Sequence, residues 1–294
     1  MTSFPTAVQA NSHDLVRLGV PSKGRLRDFA IELLSTAGYH TTALRGTGSA
    51  VQEDSGLEFI EMRPRDAAAA LAVGTLDGAF LSTDIAAEFG LGAAPRLPLG
   101  YARNRLIVAS RDDDGRTSVQ DLAGGTVATH QPVNTQRFFD QLGINVTVVH
   151  MGGSLEGVCA AGIADAIVDN SETGTSLRQN RLRVLAEIMA CEAEFVHSDE
   201  AHPIIDDLVL RVKAALDARQ ARYVMLHIPV DRIDDLRGLF PGLASPTVLP
   251  LAGRDDLVAL HFVCGNRDLW ANLSDLRALG ATGIVALQVG ALLN

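Results

Sequence analysis

Residues 15–20 alternate apolar and polar side chains and read as a β-strand, and Pro21-Ser22-Lys23-Gly24 follows as a turn. Leu26, Phe29, Ala30, Leu33 and Leu34 then fall on one helical face that Gly38 closes. A second helix is predicted over 65–73 and a strand over 78–81. Strands at 106–110, 126–129, 146–150 and around Ala166 then alternate with a short helix near Ser118, a helix over 134–142 and one from Ser154. This alternation predicts an α/β fold with parallel strands. A strand at 194–196 and a long amphipathic helix over 202–219, carrying Ile205, Leu208, Val212 and Leu216, complete the pattern. After Arg219 the pattern changes. Strand 223–228, helix 232–240, strands 247–251 and 257–263, helix 268–279 and strand 283–289 spell βαββαβ, the ferredoxin-like order, and place a domain boundary near Arg219.

The 294 residues suffice for two or three domains, and 47% hydrophobic with 20% charged residues fits a globular chain. No apolar run approaches the roughly 20 residues of a membrane helix, so no membrane partner is expected. Residues 1–14 are polar and lack a basic start and apolar centre, which predicts a disordered tail and, by default, a cytoplasmic protein. A net charge of −10 without a visible basic face argues against nucleic acid as a partner. Cys159, Cys191 and Cys264 are far apart and form no zinc spacing, so they read as ordinary buried thiols.

The most informative chemistry lies in 162–177, GIADAIVDNSETGTSL. A short apolar strand, Ala166-Ile167-Val168, is flanked by Asp165 and Asp169. Glu172, Thr173, Gly174, Thr175 and Ser176 follow, and a helix begins at Leu177. A strand that feeds such a loop into a helix exposes unpaired backbone N–H groups, which suit a phosphate. The carboxylates beside them suit sugar hydroxyls or a bridging Mg²⁺. A sugar phosphate satisfies both. The same hydroxyls also suit an ordinary helix cap, and the carboxylates a solvated strand end.

Five segments, in order, resemble the long form of ATP phosphoribosyltransferase, the first enzyme of histidine biosynthesis. Val20-Pro21-Ser22-Lys23-Gly24-Arg25-Leu26 is similar to that family's strand-then-KGRL opening. Gly153-Ser154-Leu155-Glu156 matches its GS.E turn, and 164–177 its ADAIVD…TG.TL signature. Pro241-Gly242-Leu243, with Ser245-Pro246-Thr247-Val248, resembles its PGL.SPTV segment, and Arg277-Ala278-Leu279-Gly280-Ala281 its late LGA segment. The resemblance implies two periplasmic-binding-protein-like lobes, 15–103 with 194–219 and 104–193, plus a ferredoxin-like regulatory domain over 220–294. It also implies phosphoribosyl pyrophosphate and ATP as substrates, Mg²⁺ as cofactor, and assembly as a homodimer or homohexamer.

On that reading Asp169, with Asp165 behind it, holds the ribose hydroxyls or Mg²⁺, and the N–H groups of Thr173, Gly174, Thr175, Ser176 and Leu177 hold the 5-phosphate. Lys23, Arg25 and Arg103 neutralise pyrophosphate, while Glu156, Glu172, Ser82 and Thr83 line the site. Thr247 marks the effector site. Arg103 and Arg105 equally suit a solvated crossover, and Glu156 suits helix-dipole compensation.

Three segments depart from the family pattern. The family's acidic-Leu-Gly-Ile-Thr-Gly turn is replaced over 77–84, where Ser82 stands for a glycine. The segment after Thr129 reads His130-Gln131-Pro132-Val133-Asn134-Thr135 in place of a charged residue followed by Tyr-Pro-Asn. His227 stands where the family often has an acidic residue. The first two face the nucleotide in that family. They favour, as an alternative, a paralogue that joins the same donor to another base or heterocycle, or one that only binds a ligand.

Overall fold

The computed structural model describes residues 15–42, 44, 50–52, 56–199, 202–240 and 246–293. The expected tail, and Pro241, Gly242, Leu243 and Ser245 of the late motif, lie outside the described residues. The chain divides into two compact units. One runs to residue 206 apart from 33–39, and the other comprises 33–39 and 207–294.

The first unit contains two sheets. In the first, β1 (Val16–Pro21) turns through Gly24 into α1 (Arg25–Thr36). The turn requires φ +81° at Gly24, a left-handed backbone that glycine adopts without steric cost. Then come β2 (Ala50–Gln52), β3 (Leu57–Met62), α2 (Pro64–Ala72), β4 (Gly78–Ser82), α3 (Thr83–Glu88) and β5 (Arg96–Pro98). Pro64 opens α2, where its missing N–H costs nothing. The second sheet is built from β6 (Asn104–Arg111), β7 (Thr126–Thr129), α4 (Pro132–Leu142), β8 (Thr147–His150), α5 (Leu155–Ala160), β9 (Ala166–Ser171), α6 (Thr175–Gln179) and β10 (Leu182–Cys191). The chain then returns to the first sheet as β11 (Ala193–His197) and continues into α7 (Pro203–Gln220).

The strand orders are β2-β3-β1-β4-β11-β5 and β10-β6-β9-β7-β8. The expectation of parallel strands holds for β3-β1-β4 and β9-β7-β8. It fails for β5, β6, β10 and β11, which pair antiparallel because they enter or leave a sheet at the two crossings between lobes, and for β2, which pairs antiparallel with β3, the next strand in the chain. Leu18, Val20, Phe59, Leu81 and Phe195 are fully buried in the first lobe, and Leu106, Val108, Val127, Phe139 and Val168 in the second. Phe80 of β4 packs against Phe195 of β11 with ring centroids 5.1 Å apart, so the returning strand is fixed by its core face as well as by its ladder.

In the second unit, β12 (Ala221–Pro229), α8 (Ile233–Leu239), β13 (Thr247–Leu251), β14 (Arg254–Gly265), α9 (Asn266–Ala271), α10 (Leu273–Ala278) and β15 (Thr282–Gln288) follow the βαββαβ order. The antiparallel sheet runs β13-β14-β12-β15, the ferredoxin-like arrangement. Val224, Leu226, Ile228, Leu260 and Phe262 pack on Leu236, Leu269 and Leu276 of the helices. The helix expected over 268–279 is broken at Asn272 into α9 and α10. The α/β class and the plan of two lobes plus a C-terminal ferredoxin-like module are as the sequence indicates.

Candidate active site

β7, β8 and β9 run parallel, so the loops that follow them emerge at one edge of the second sheet. β1 and β4 do the same in the first sheet. In α/β sheets the carboxyl ends of strands border the ligand crevice. Here the edges of the two lobes meet. Arg25, after β1, donates to the Glu172 carboxylate after β9 at 2.6 Å. Both side chains are largely exposed, so this ion pair is readily exchanged for a ligand anion.

Asp169 lies near the end of β9 and accepts the Asn170 N–H at 2.8 Å. Burial pushes its carboxyl above the usual carboxylate range, and the nearby Glu156 and Asp84 carboxylates add to this, while the Asn170 N–H and His130 oppose it. One residue beyond the Thr129↔Val168 pair, the parallel register brings His130 alongside Asp169. His130 Nδ1 contacts the Met151 carbonyl, and Arg65 donates to the His130 carbonyl at 2.7 Å.

The loop after Asp169 is held from several sides. The Ser176 hydroxyl donates to Glu156, and this bond holds the Glu156 carboxyl below its usual range. Thr173 and Thr175 share a hydroxyl–hydroxyl hydrogen bond of 3.0 Å. Arg178 reaches back to the Thr173 carbonyl and the Thr175 hydroxyl, each at 3.1 Å. Gly174 sits at φ +69°, where a side chain would be strained and its Cβ would lie 3.3 Å from Arg178 Nη1. The arrangement is a hydrogen-bonded polar bend beside a partly desolvated carboxylate, faced across the lobes by Arg25.

Both units match known sequence families. Residues 63–214 match the model of ATP phosphoribosyltransferase, and residues 218–291 that of the C-terminal domain of the same enzyme. The ATP phosphoribosyltransferase of Natronomonas pharaonis is 34% identical over 280 residues, 93% of this chain and 98% of its own. This chain belongs to the ATP phosphoribosyltransferase family. A relative of the same description from Gemmatimonas aurantiaca is 34% identical over 290 residues, 94% of this chain and 98% of its own. The Thermotoga maritima ATP phosphoribosyl transferase (HisG:HisZ) complex superposes with a TM-score of 0.60 at 24% identity, over 69% of this chain and 99% of that one, a likeness of fold.

Within this phosphoribosyltransferase fold, Asp169, Glu156, Glu172, Thr173, Gly174, Thr175, Ser176 and Arg25 come together, and Lys23 is exposed on the turn beside Arg25. Asp165 and Thr83 are placed otherwise than expected. Asp165 precedes β9 and Asp169 lies within it, so four residues of extended chain separate them by about 13 Å. Asp165 instead binds Arg116 at 2.5 Å and accepts the Thr126 N–H at 2.8 Å, which holds its carboxyl below the usual range. It braces the opposite end of the sheet. The Thr83 hydroxyl is occupied within the fold, since it faces the Glu192 carbonyl and the Glu194 carboxylate and accepts the Glu192 N–H. Ser82 precedes α3 without capping it through its side chain. The Leu177 side chain is buried with Ile107, Leu155 and Ile167, so it anchors the loop from below. Arg103 lies 3.6 Å from Glu192 at the crossing between lobes and is mostly exposed, and Arg105 pairs with Glu187.

Thr247 lies at the exposed start of β13, paired with His261, whose Nδ1 meets the Tyr223 hydroxyl at 2.9 Å. Sequence reasoning missed Gln131, Asn134, Asn170 and Glu88. Glu88 accepts the backbone N–H groups of Val133 and Asn134 at 3.1 and 2.8 Å, capping α4 from the other lobe. Its only sequence signal is Pro132, which marks the start of a helix whose free N–H groups need partners.

Proposed function

We propose that this chain joins the ribose 5-phosphate of phosphoribosyl pyrophosphate to N1 of ATP and releases pyrophosphate, the first step of histidine biosynthesis. The observation that carries this reading is the convergence of Asp169, Glu156, Arg25 and the 172–176 bend at the strand ends of a chain that belongs to this family.

The N1 lone pair forms a bond to the anomeric carbon as the bond from that carbon to the pyrophosphate oxygen breaks, with inversion. Positive charge grows on the ribose ring and negative charge on the leaving group, and preorganised charges serve both. Asp169 faces the ring and holds its hydroxyls. The N–H groups of 173–176 take the 5-phosphate. Arg25, released from Glu172, and Lys23 neutralise the departing pyrophosphate, with Arg103 at the crossing as a further cation. Lobe closure supplies orientation, so no covalent nucleophile is needed.

Among the described residues no group of three or more His, Cys, Asp or Glu side chains converges on one point. Mg²⁺ would be held by Asp169 together with the donor's own phosphates, the usual manner of its binding. When bound, it would neutralise charge on the pyrophosphate. The C-terminal module is assigned to regulation, with Thr247 at its effector site, and the active form to a homodimer or homohexamer in the cytoplasm. No helix among the described residues is long and apolar enough to cross a membrane.

The test is to mix protein, donor, ATP and Mg²⁺ and follow the ultraviolet absorbance of N1-substituted adenine, with calorimetry of donor binding alongside. Product formation supports the reading. Absence of donor binding overturns it. Donor binding without product from ATP would redirect the assignment to another base, which the altered segments 77–84 and 130–135 would then explain.

A further inference from the structure

Asp84, from α3 of the first lobe, is 2% exposed and binds three residues of the second lobe. Its Oδ2 accepts from Gln131 Nε2 and from Asn170 Nδ2, the latter at 3.1 Å, and its carbonyl accepts from Asn134 Nδ2 at 2.8 Å. The amide groups complete the network among themselves. Gln131 Nε2 also donates to Asn170 Oδ1 at 3.0 Å, Asn134 Nδ2 to Gln131 Oε1 at 2.8 Å, and Asn170 Nδ2 to Asn104 Oδ1 at 2.8 Å. Every amide proton of Gln131, Asn134 and Asn170 thus has an acceptor. Reversing any one amide would set N–H against N–H or oxygen against oxygen, so the carboxylate of Asp84 fixes the orientation of Gln131 and Asn170, and its main-chain carbonyl that of Asn134.

The geometry has a direct consequence for the site. Asn170 adjoins Asp169, and the polar bend begins two residues later. Asn170 is solvent-exposed, so without Asp84 and Gln131 little in the core would hold its side chain. Asp84 Oδ1 and Asn134 Oδ1 are buried without a donor from the protein. Separation of the lobes would hydrate both oxygens, so the contact is not so favourable that it locks the lobes together.

We propose that Asp84 is a positioning residue for the transfer reaction. Its carboxylate crosses between the lobes and, through Asn170, sets the end of β9 that carries Asp169. This rests on the transferase reading for its kinetic consequence, but the ordering of the strand end is independent of it.

The test uses the full chain with Asp84→Asn, which keeps the shape and reverses one hydrogen-bonding edge. Amide hydrogen exchange without substrate is expected to accelerate over 169–176, while the exposed-to-buried ladder of β3 in the first lobe keeps its protection. In the transferase assay kcat is expected to fall by about 10- to 100-fold, the scale of a misplaced reacting geometry. The donor KM should rise by a smaller factor. Asn170→Ala should lower kcat to a similar extent, and the double variant should show little further loss. Unchanged exchange at 169–176 in a folded Asp84→Asn protein would overturn the proposal, whether or not the wild type proves to act on ATP. Additive losses in the double variant would overturn it too. Should Asp84→Asn fail to fold, Asn170→Ala alone decides by the same exchange measurement, since an exposed side chain tolerates truncation.

Discussion

Replacing Asp165 by alanine tests whether the paired aspartates of the central strand act together. Asp165 accepts one backbone N–H, from Thr126, and one charged hydrogen bond, from Arg116. Loss of the acceptor of this part-buried N–H costs about 1–2 kcal/mol. The ion pair adds less, because the Asp165 side chain is 34% exposed and Arg116 keeps Asp114 at 2.7 Å as a second partner. Solvent screening therefore limits the pair to about 0.5 kcal/mol. A total near 2 kcal/mol lowers the melting temperature by roughly 4–8 °C for a unit of this size.

The pH dependence follows from the depressed carboxyl. Its stabilisation is fully present above the unfolded carboxylate value of about 3.9 and is lost as pH falls through the lower folded value. Urea melts should therefore separate wild type from Asp165→Ala at pH 7, and the gap should narrow progressively as pH falls below about 4. Donor KM and kcat should stay within about threefold of wild type below the melting range, since about 13 Å of extended strand separates Asp165 from Asp169. A loss of transfer comparable to that of Asp169→Asn, with stability intact, would refute the placement of Asp165 outside the site.

Asp169→Asn should reduce kcat by about 10²-fold or more, as expected for a lost electrostatic contact to developing charge. Because burial raises this carboxyl, its folded form favours the proton, and stability from this group is lost as pH rises. The variant should therefore melt no lower than wild type at pH 7, whereas activity of the wild type should decline on acidification at a higher pH than an ordinary aspartate would give. Gly174→Ala should cost about 1 kcal/mol for a left-handed residue and weaken donor binding by calorimetry. Thr173→Ala with Thr175→Ala should lower donor affinity without changing the fold by circular dichroism, and unchanged affinity would place the phosphate elsewhere. Cys191, pushed up to about 12 by burial, and the equally buried Cys159 should resist thiol reagents in the native protein and react only on unfolding.

Local signals made much of this molecule readable. Thr126–Thr129 follows Gly124-Gly125 and Thr247–Leu251 follows Pro246, and both strands begin directly after those residues. β10 escaped the reading because its register shifts between Val184 and Ala186 and again between Glu187 and Met189, and each irregularity breaks the two-residue period. α3 is too short to show a helical period. The bend after Asp169 is contiguous in sequence and could be recognised as a unit. Asp165 was misassigned because flanking positions look equivalent along a sequence, while a strand places them at opposite ends. Asp84, Gln131, Asn134 and Asn170 are 36 or more residues apart at the wider steps and carry no common spacing, so only the meeting of two lobes reveals them.

The first sheet is completed by a strand that arrives late. β11 lies between β4 and β5, yet it is synthesised after the whole of the second lobe. While the chain emerges from the ribosome, β4 therefore has an open edge and β5 has no partner, whereas β6 to β10 form an uninterrupted segment able to close its own sheet. The second lobe should accordingly mature first. The exposed edge of β4, with Phe80 awaiting Phe195, is then the place where a nascent or truncated chain would be most open to misassociation.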